Sequence, residues 1–270
     1  MINFVGRRQI CADTIARSEA IAASTPGGSL KSSFISSQLG PLSKSHTAYP
    51  NLTLKPIEIH NSDSFELARS LPSDSGKIGV LNLASNFEPG GGWPHTLSMT
   101  QEEALCYSST LYATLKPKWY PWPNFGPRSC AGIFSPDVVV FRDTLSNNLV
   151  EFPIAHRHVV AVMTVAAPCQ PKLTESGEGF AKDSDLHDLR EKILLTLRMA
   201  AVNGVTSLVL GAMGCGAYGC PPKAVAEQMK SALELEEFAG WFENVVFAVY
   251  AAGPTGHGNL ETFKQVFENA

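Results

Sequence analysis

Residues 78–92 read Ile78-Gly-Val-Leu-Asn-Leu-Ala-Ser-Asn-Phe-Glu-Pro-Gly-Gly-Gly92, an apolar run that breaks into a turn and ends on three glycines. Apolar side chains from Ile78 through Val80, Leu81 and Leu83 to Ala84 fall on both parities, so a strand here has both faces buried, as in a parallel sheet covered by helices. The same order recurs downstream. Thr206–Leu210 reads as a strand, Gly211–Gly219 as a glycine-rich loop, and Pro221–Leu235 as a helix with its prolines at the start. Asp137–Arg142, His158–Ala166 and Val245–Tyr250 add three strand-like runs, and Asp185–Ala201 a helix with Leu186, Leu189, Ile193, Leu197 and Ala200 on one stripe.

Towards the ends, Arg8–Ser24 is predicted as a helix stopped by Pro26-Gly27-Gly28, residues 25–50 as a Ser/Pro-rich loop, and Leu260–Asn269 as a final helix. Gln101–Leu115 has a helical pattern, and the aromatic-rich stretch Pro117–Pro127 after it fits neither period, so an ordered loop or lid is expected. Alternating strand, glycine loop and helix is the pattern of a three-layer α/β sheet with right-handed crossovers. With no repeat and no linker, one domain is expected over residues 1–270, carrying an N-terminal helical and loop extension over about 1–55.

Composition narrows the function. The chain has 270 residues, 21 basic and 25 acidic, a formal charge of −4, 44% apolar residues and 17% charged ones. That is a globular composition, and the length is enough to bury roughly three quarters of the unfolded surface. An acidic balance argues against gripping nucleic acid by bulk charge. Six dispersed cysteines suggest free thiols in a reducing compartment. No run reaches about 18 apolar residues, and Arg7, Arg8, Asp13 and Arg17 interrupt any apolar signal core, so neither membrane nor export is expected.

The two glycine loops, Gly90-Gly91-Gly92 and Gly211–Gly219, stand at strand-to-helix junctions, where open α/β sheets bind ligands. Missing β-carbons allow close approach of the backbone, and successive N–H groups can hold phosphate oxygens without lysine. Neither loop ends in Gly-Lys-Ser/Thr and neither carries G-x-G-x-x-G, so nucleotide triphosphate and dinucleotide motifs are disfavoured. Two cradles facing one cleft suit a diphosphate; tight turns alone are the plain alternative.

Between the first loop and its helix stands Thr100-Gln101-Glu102-Glu103. Thr100 with Glu103 three residues on matches a capping box, in which the glutamate only closes the helix start. The alternative is catalytic. Neighbouring helix positions diverge by about 100°, so the two carboxylates would have separate tasks, one orienting a ribose and the other giving and recovering a proton. The helix N-terminus favours the ionised acid; an acidic neighbour, partial burial and a bound diphosphate favour the neutral one, and with substrate present the neutral form is expected to prevail.

The spacing Gly90-Gly91-Gly92, eight residues, Gln101-Glu102-Glu103 resembles the signature of poly(ADP-ribose) glycohydrolases. Leu81–Ser85, Phe134-Ser135-Pro136, Phe141-Arg142-Asp143, Leu208–Gly219 and Val246–Val249 extend the similarity to the compact microbial-type branch. The resemblance implies a macrodomain, a mixed central sheet with helices on both faces, that binds ADP-ribose. It implies Glu103 as the catalytic acid/base and Glu102 as the holder of the terminal ribose. It implies Gly90, Gly91 and Gly92 against the diphosphate and ribose, Gln101 among the ligand-binding residues, Asn82 as a ribose or loop-positioning residue, and Gly214, Cys215, Gly216, Ala217, Tyr218 and Gly219 as the second phosphate loop, with Tyr218 against the distal ribose. The reaction implied is hydrolysis of ribose–ribose O-glycosidic bonds without metal or cofactor, on free or protein-attached polymer, by a cytoplasmic or nuclear monomer of the DNA damage response. Trp93 after the glycines and Trp119-Tyr120-Pro121-Trp122 depart from the family pattern.

Other signals are weaker. Cys215, Cys220, His156 and His158 could hold zinc, but packing thiols explain the cysteines. Cys106 would need a histidine base to act as a nucleophile. His95 is given no role, and Trp119, Tyr120, Trp122 and Phe125 could stack on adenine or simply pack. A non-catalytic ADP-ribose reader, or an enzyme for mono-ADP-ribosyl groups or ADP-ribose 1″-phosphate, are the competing functions.

Overall fold

A computed structural model describes residues 2–72, 76–251 and 253–268. Seven strands form one mixed sheet: β1 (Ser33–Ile35), β2 (Glu58–His60), β3 (Lys77–Leu83), β4 (Gly132–Val140), β5 (His158–Val165), β6 (Val205–Leu210) and β7 (Asn244–Ala248), in the order β1-β4-β5-β3-β6-β7-β2. β3 runs parallel to β5 and β6, β7 parallel to β6, and β2 parallel to β7. β4 is antiparallel to β5, and β1 antiparallel to β4. The carboxyl ends of β3, β5 and β6 therefore lie side by side, with the two glycine loops leaving from β3 and β6.

The apolar run of β3 splits between the two faces as its parity demands. Leu81, with Met163, Val165, Leu208 and Phe247, packs under α6 (Asp183–Val202), α7 (Pro222–Leu233) and α8 (Gly253–Glu268). Val80, with Ile133, Val160, Val162 and Val209, packs under α1 (Phe4–Ser24), α2 (Ser64–Ser70), α4 (Gln101–Ser108) and α5 (Leu111–Thr114). The short α3 (Trp93–Thr96) adds the fully buried Trp93 to that second face. The result is the three-layer arrangement expected.

Several bounds differ from the sequence reading. The helix expected over Gln101–Leu115 is broken: Ser109 turns its backbone to bridge Val140 of β4, and Ser109 Oγ accepts from the Leu111 N–H at 3.1 Å to start α5. β4 begins at Gly132, five residues earlier than expected, and carries an irregularity between Ser135 and Val138. α1 begins at Phe4, because the Asn3 side chain caps it by accepting from Gly6 N at 2.9 Å. The loop over 25–50 contributes β1, and α8 starts at Gly253; Asn269, the expected end of that helix, lies outside the described residues. His156 sits in a 3₁₀ turn, Ile154–His156, ahead of β5 rather than on one strand face with His158.

Candidate active site

The turn after β3 is built from three left-handed residues, Gly90, Gly91 and Gly92, with φ of 62°, 60° and 76°. Each glycine is required for a different reason. A β-carbon on Gly90 would stand 3.0 Å from the Tyr112 ring, and one on Gly92 would stand 2.5 Å from Glu88 Oε1. One on Gly91 would stand 2.9 Å from Glu103 Oε1 and 3.2 Å from Glu102 Oε2. The first and last glycines thus allow the turn to close on its own neighbours. Gly91 alone of the three lines the cleft, and it leaves room where the two carboxylates converge.

Glu102 and Glu103 open α4, and both are nearly buried, 3% and 5% exposed. The helix is fixed to β3 by Gln101, whose side chain accepts from Leu83 N at 2.9 Å and donates to Leu81 O at 2.8 Å and Ser64 Oγ at 3.1 Å. The Gln101 amide is spent on the sheet, so its part at the cleft is to set the helix rather than to present a free amide to a ligand. Asn82 has no exposed surface either; its Nδ2 donates to Glu102 Oε1 at 3.1 Å and to Thr164 Oγ1 at 3.3 Å. The direct ribose contact entertained for Asn82 gives way to a role behind Glu102.

The capping box does not form. Thr100 is the N-cap of α4, but its side chain makes no cap hydrogen bond to the helix backbone. Its hydroxyl donates instead to Glu103 Oε2. One Glu103 oxygen is therefore held by threonine, and the other, Oε1, faces the gap above Gly91. Glu102 is tied down at both oxygens, Oε1 by Asn82 and Oε2 by the Ser85 N–H at 2.8 Å. Burial pushes the Glu102 carboxyl up to about 8 against those two stabilising bonds, with the Glu103 charge adding to the rise.

The second loop crosses the cleft from β6. Gly214, with φ 76°, has no room for a β-carbon, which would meet Ala167 Cβ at 2.6 Å and Cys220 Sγ at 2.7 Å. Hydrogen bonds from Cys215 N to Ala212 O, Gly219 N to Gly216 O and Cys220 N to Gly214 O fold the loop on itself. The N–H groups of Gly214, Gly216, Ala217 and Tyr218 carry no acceptor among the described residues. These four residues line the cleft. Cys215 and Gly219 do not: the Cys215 side chain is buried in the core and its thiol donates to Met213 O, so its assignment to the ligand is corrected to packing. Tyr218 lines the cleft and its hydroxyl donates to Asn86 Oδ1 at 3.1 Å.

The cleft around Glu102, Glu103, Gly91 and Gly214 has a volume of about 360 Å³. It continues past Leu83, Gln101 and Ala212 into a second lobe of about 270 Å³, bordered by Asp63, Met99, Val249 and Tyr250. The sequence reading missed this lobe. Asp63 was detectable as an N-cap: its Oδ1 accepts from Phe65 N at 2.8 Å and Glu66 N at 3.2 Å, and Asp-Ser-Phe-Glu is a helix-start pattern. Burial raises its carboxyl above the ordinary range.

The other candidates fall away from the cleft. Cys106 is fully buried and burial raises its thiol well above the ordinary range, which removes it as a nucleophile. His95 is exposed on α3. Trp119 stacks on Phe34 with centroids 6.0 Å apart, and Trp122, 4% exposed, packs against Tyr120, so these rings belong to the core. Among the described residues no group of three or more His, Cys, Asp or Glu is placed to hold a metal ion.

A family model described as microbial-type PARG, catalytic domain, matches residues 17–143. No curated protein matches the chain. Among solved structures, poly(ADP-ribose) glycohydrolase (PARG) from Thermomonospora curvata is 28% identical over 96% of this chain and 98% of that one, with a TM-score of 0.73. The same bacterial enzyme bound to the inhibitor ADP-HPD is 30% identical over 96% and 98%, with a TM-score of 0.72. A mutant of the Deinococcus radiodurans enzyme in complex with ADP-ribose is 27% identical over 92% and 97%, with a TM-score of 0.71. On that family match and on a 30% identity that spans nearly the whole of both chains, this chain belongs to the microbial-type poly(ADP-ribose) glycohydrolase family.

Proposed function

We propose that the chain hydrolyses the ribose–ribose O-glycosidic bonds of poly(ADP-ribose), with Glu103 as general acid and base. The observation that carries this is the different occupation of the two carboxyl groups. Both oxygens of Glu102 are engaged by protein donors, whereas Glu103 keeps Oε1 free at the gap over Gly91. Glu103 Oε1 gives its proton to the leaving ribose oxygen as the bond to the anomeric carbon breaks. The anomeric carbon takes up positive charge in an oxocarbenium-like state, as in other glycoside hydrolyses. A water adds to that carbon, and Glu103 takes the proton the water loses, which restores the acid. Glu102, fixed by Asn82 and Ser85, orients the ribose hydroxyls.

Substrate orientation follows from the two lobes. The free amides of Gly214, Gly216, Ala217 and Tyr218 hold diphosphate oxygens, a role backbone donors fill without a cation. The distal ribose lies between Gly91 and Tyr218, and the nucleobase takes the second lobe between Met99 and Tyr250, with Asp63 at its edge. ADP-ribose bound in the Deinococcus relative supports this assignment of the ligand class. Six free cysteines fit a reducing compartment, cytoplasm or nucleus.

Incubating the purified chain with poly(ADP-ribose) and separating the products tests this. Free ADP-ribose accumulating with time is the result expected. Tight retention of intact polymer would favour a reader. Release from a mono-ADP-ribosylated acidic side chain, or of phosphate from ADP-ribose 1″-phosphate, without attack on polymer would favour the other enzymatic readings.

A further inference from the structure

The aromatic-rich segment after α5 is tied to the loops around the cleft through Trp122, whose N–H donates to Asn86 O at 3.1 Å, and through the Asn124 side chain. Asn124 Nδ2 donates to Asn86 Oδ1 at 3.2 Å and to Ala167 O at 2.8 Å, and Asn124 Oδ1 accepts from Cys169 N at 2.6 Å. Asn86 in turn gives Nδ2 to Trp122 O at 2.8 Å and its N–H to the Tyr218 hydroxyl at 3.3 Å, while its Oδ1 receives that hydroxyl at 3.1 Å. One pair of asparagines thus connects the loops that leave β3, β5 and β6 with the segment over 117–127. From the opposite side, Lys192 of α6 donates Nζ to Asn124 O at 2.8 Å. Its side chain has no exposed surface, and burial lowers its amine to about 8. Burying an ammonium is costly unless its donors are used, so this lysine is poorly explained as packing.

We propose that Asn124, seated on Lys192 and acting through Asn86, is a positioning residue that holds the Tyr218 ring against the bound ligand. The inference rests on the reading of the cleft as an ADP-ribose site. The Tyr218 hydroxyl is occupied by Asn86 on both its donor and acceptor sides, so the ring rather than the hydroxyl is what Tyr218 offers the ligand. None of these residues bonds Glu103, so loss of the tie acts on binding and leaves the proton transfer in place. The segment over 117–127 is then a fixed brace behind the loops of the site and not the lid that its composition allowed.

The test is a double-mutant cycle read by calorimetry with ADP-ribose as the probe. Asn124→Ala and Tyr218→Phe should each weaken ADP-ribose binding by roughly five- to tenfold, and the double variant should be no weaker than the weaker single. The rate of Asn124→Ala at saturating polymer should stay within about twofold of wild type, because uniform binding was lost and not transition-state stabilisation. Lys192→Met should reproduce the weakening from the far end of the chain of contacts. If Asn124→Ala does not fold, Asn124→Gln carries the same cycle, since it keeps the amide and displaces it by one methylene. Unchanged affinity in the Asn124 variant, or multiplying effects in the double, would overturn the positioning role. Failure of wild type to bind ADP-ribose would instead overturn the reading of the cleft.

Discussion

Two neighbouring glutamates in this chain have been given unlike surroundings. Glu102 is enclosed, bonded at both oxygens and pushed up to about 8 by burial, whereas Glu103 shares one oxygen with Thr100 and points the other at the space over Gly91. The buried state of Glu102 has a thermodynamic consequence with a definite sign. Its folded pKa lies above its ordinary value of 4.5, so between those two values the unfolded chain releases a proton that the folded chain retains. Stability through this group is therefore full below about pH 4.5, falls as pH rises, and levels off above about 8. Glu102→Gln removes the slope. Denaturant unfolding at pH 5 and pH 8 should show wild type losing more stability than the variant, by on the order of 3 kcal/mol. Parallel losses in the two proteins would show that Glu102 ionises in the fold as it does in water.

At the scale of single elements, the glycine turn and the start of α4 were legible in the sequence because spacing alone reports them. What Thr100 does was not legible. Thr-x-x-Glu reads as a capping box, and only the fold shows the hydroxyl turned to the Glu103 carboxylate instead of the helix backbone. The break between α4 and α5 was hidden for a similar reason, since Ser109 leaves the helix to pair with Val140, a partner far along the chain. β1, β2 and α2 escaped because strands of three residues and a helix of seven carry too little periodicity to stand out. The glycine turn supports a sharper prediction. Gly91→Ala and Gly27→Ala both force alanine to positive φ, at a cost of roughly 1–2 kcal/mol each. Around Gly27 a β-carbon meets nothing within 4 Å, whereas at Gly91 it meets both carboxylates. Thermal unfolding should therefore show a loss in both variants, the larger in Gly91→Ala, while release of ADP-ribose should collapse in Gly91→Ala alone. Equal activity in the two variants would mean that the space over Gly91 is not where the bond is broken.

Over the whole molecule, the sheet order does the assembling. β3 lies between β5 and β6, so loops separated by more than a hundred residues meet at one edge, and the contacts among Asn86, Asn124 and Tyr218 arise from that topology and not from any local motif. The N-terminal segment, read in the sequence as an extension, is joined through Arg142 to the helix that carries both glutamates. The nearly buried Arg142 guanidinium donates to Thr14 and Asp13 of α1 and, at 3.1 Å, to Tyr107 O of α4, the helix that carries both glutamates. Deleting residues 2–24 would leave that charge without its α1 partners and expose the apolar surface beneath Ile21. Denaturant unfolding of the truncated chain should show a loss of about 3 kcal/mol or more. An unchanged midpoint would mean that α1 is a mere appendage.

The most direct trial of the central claim is the rate of ADP-ribose release from poly(ADP-ribose) by Glu103→Gln, measured beside its affinity for ADP-ribose. Glutamine can still accept the Thr100 hydroxyl but cannot deliver or recover a proton. Release should fall by at least about a hundredfold while the variant stays folded and still binds ADP-ribose. Turnover close to wild type would contradict the assignment of Glu103 as the acid and base.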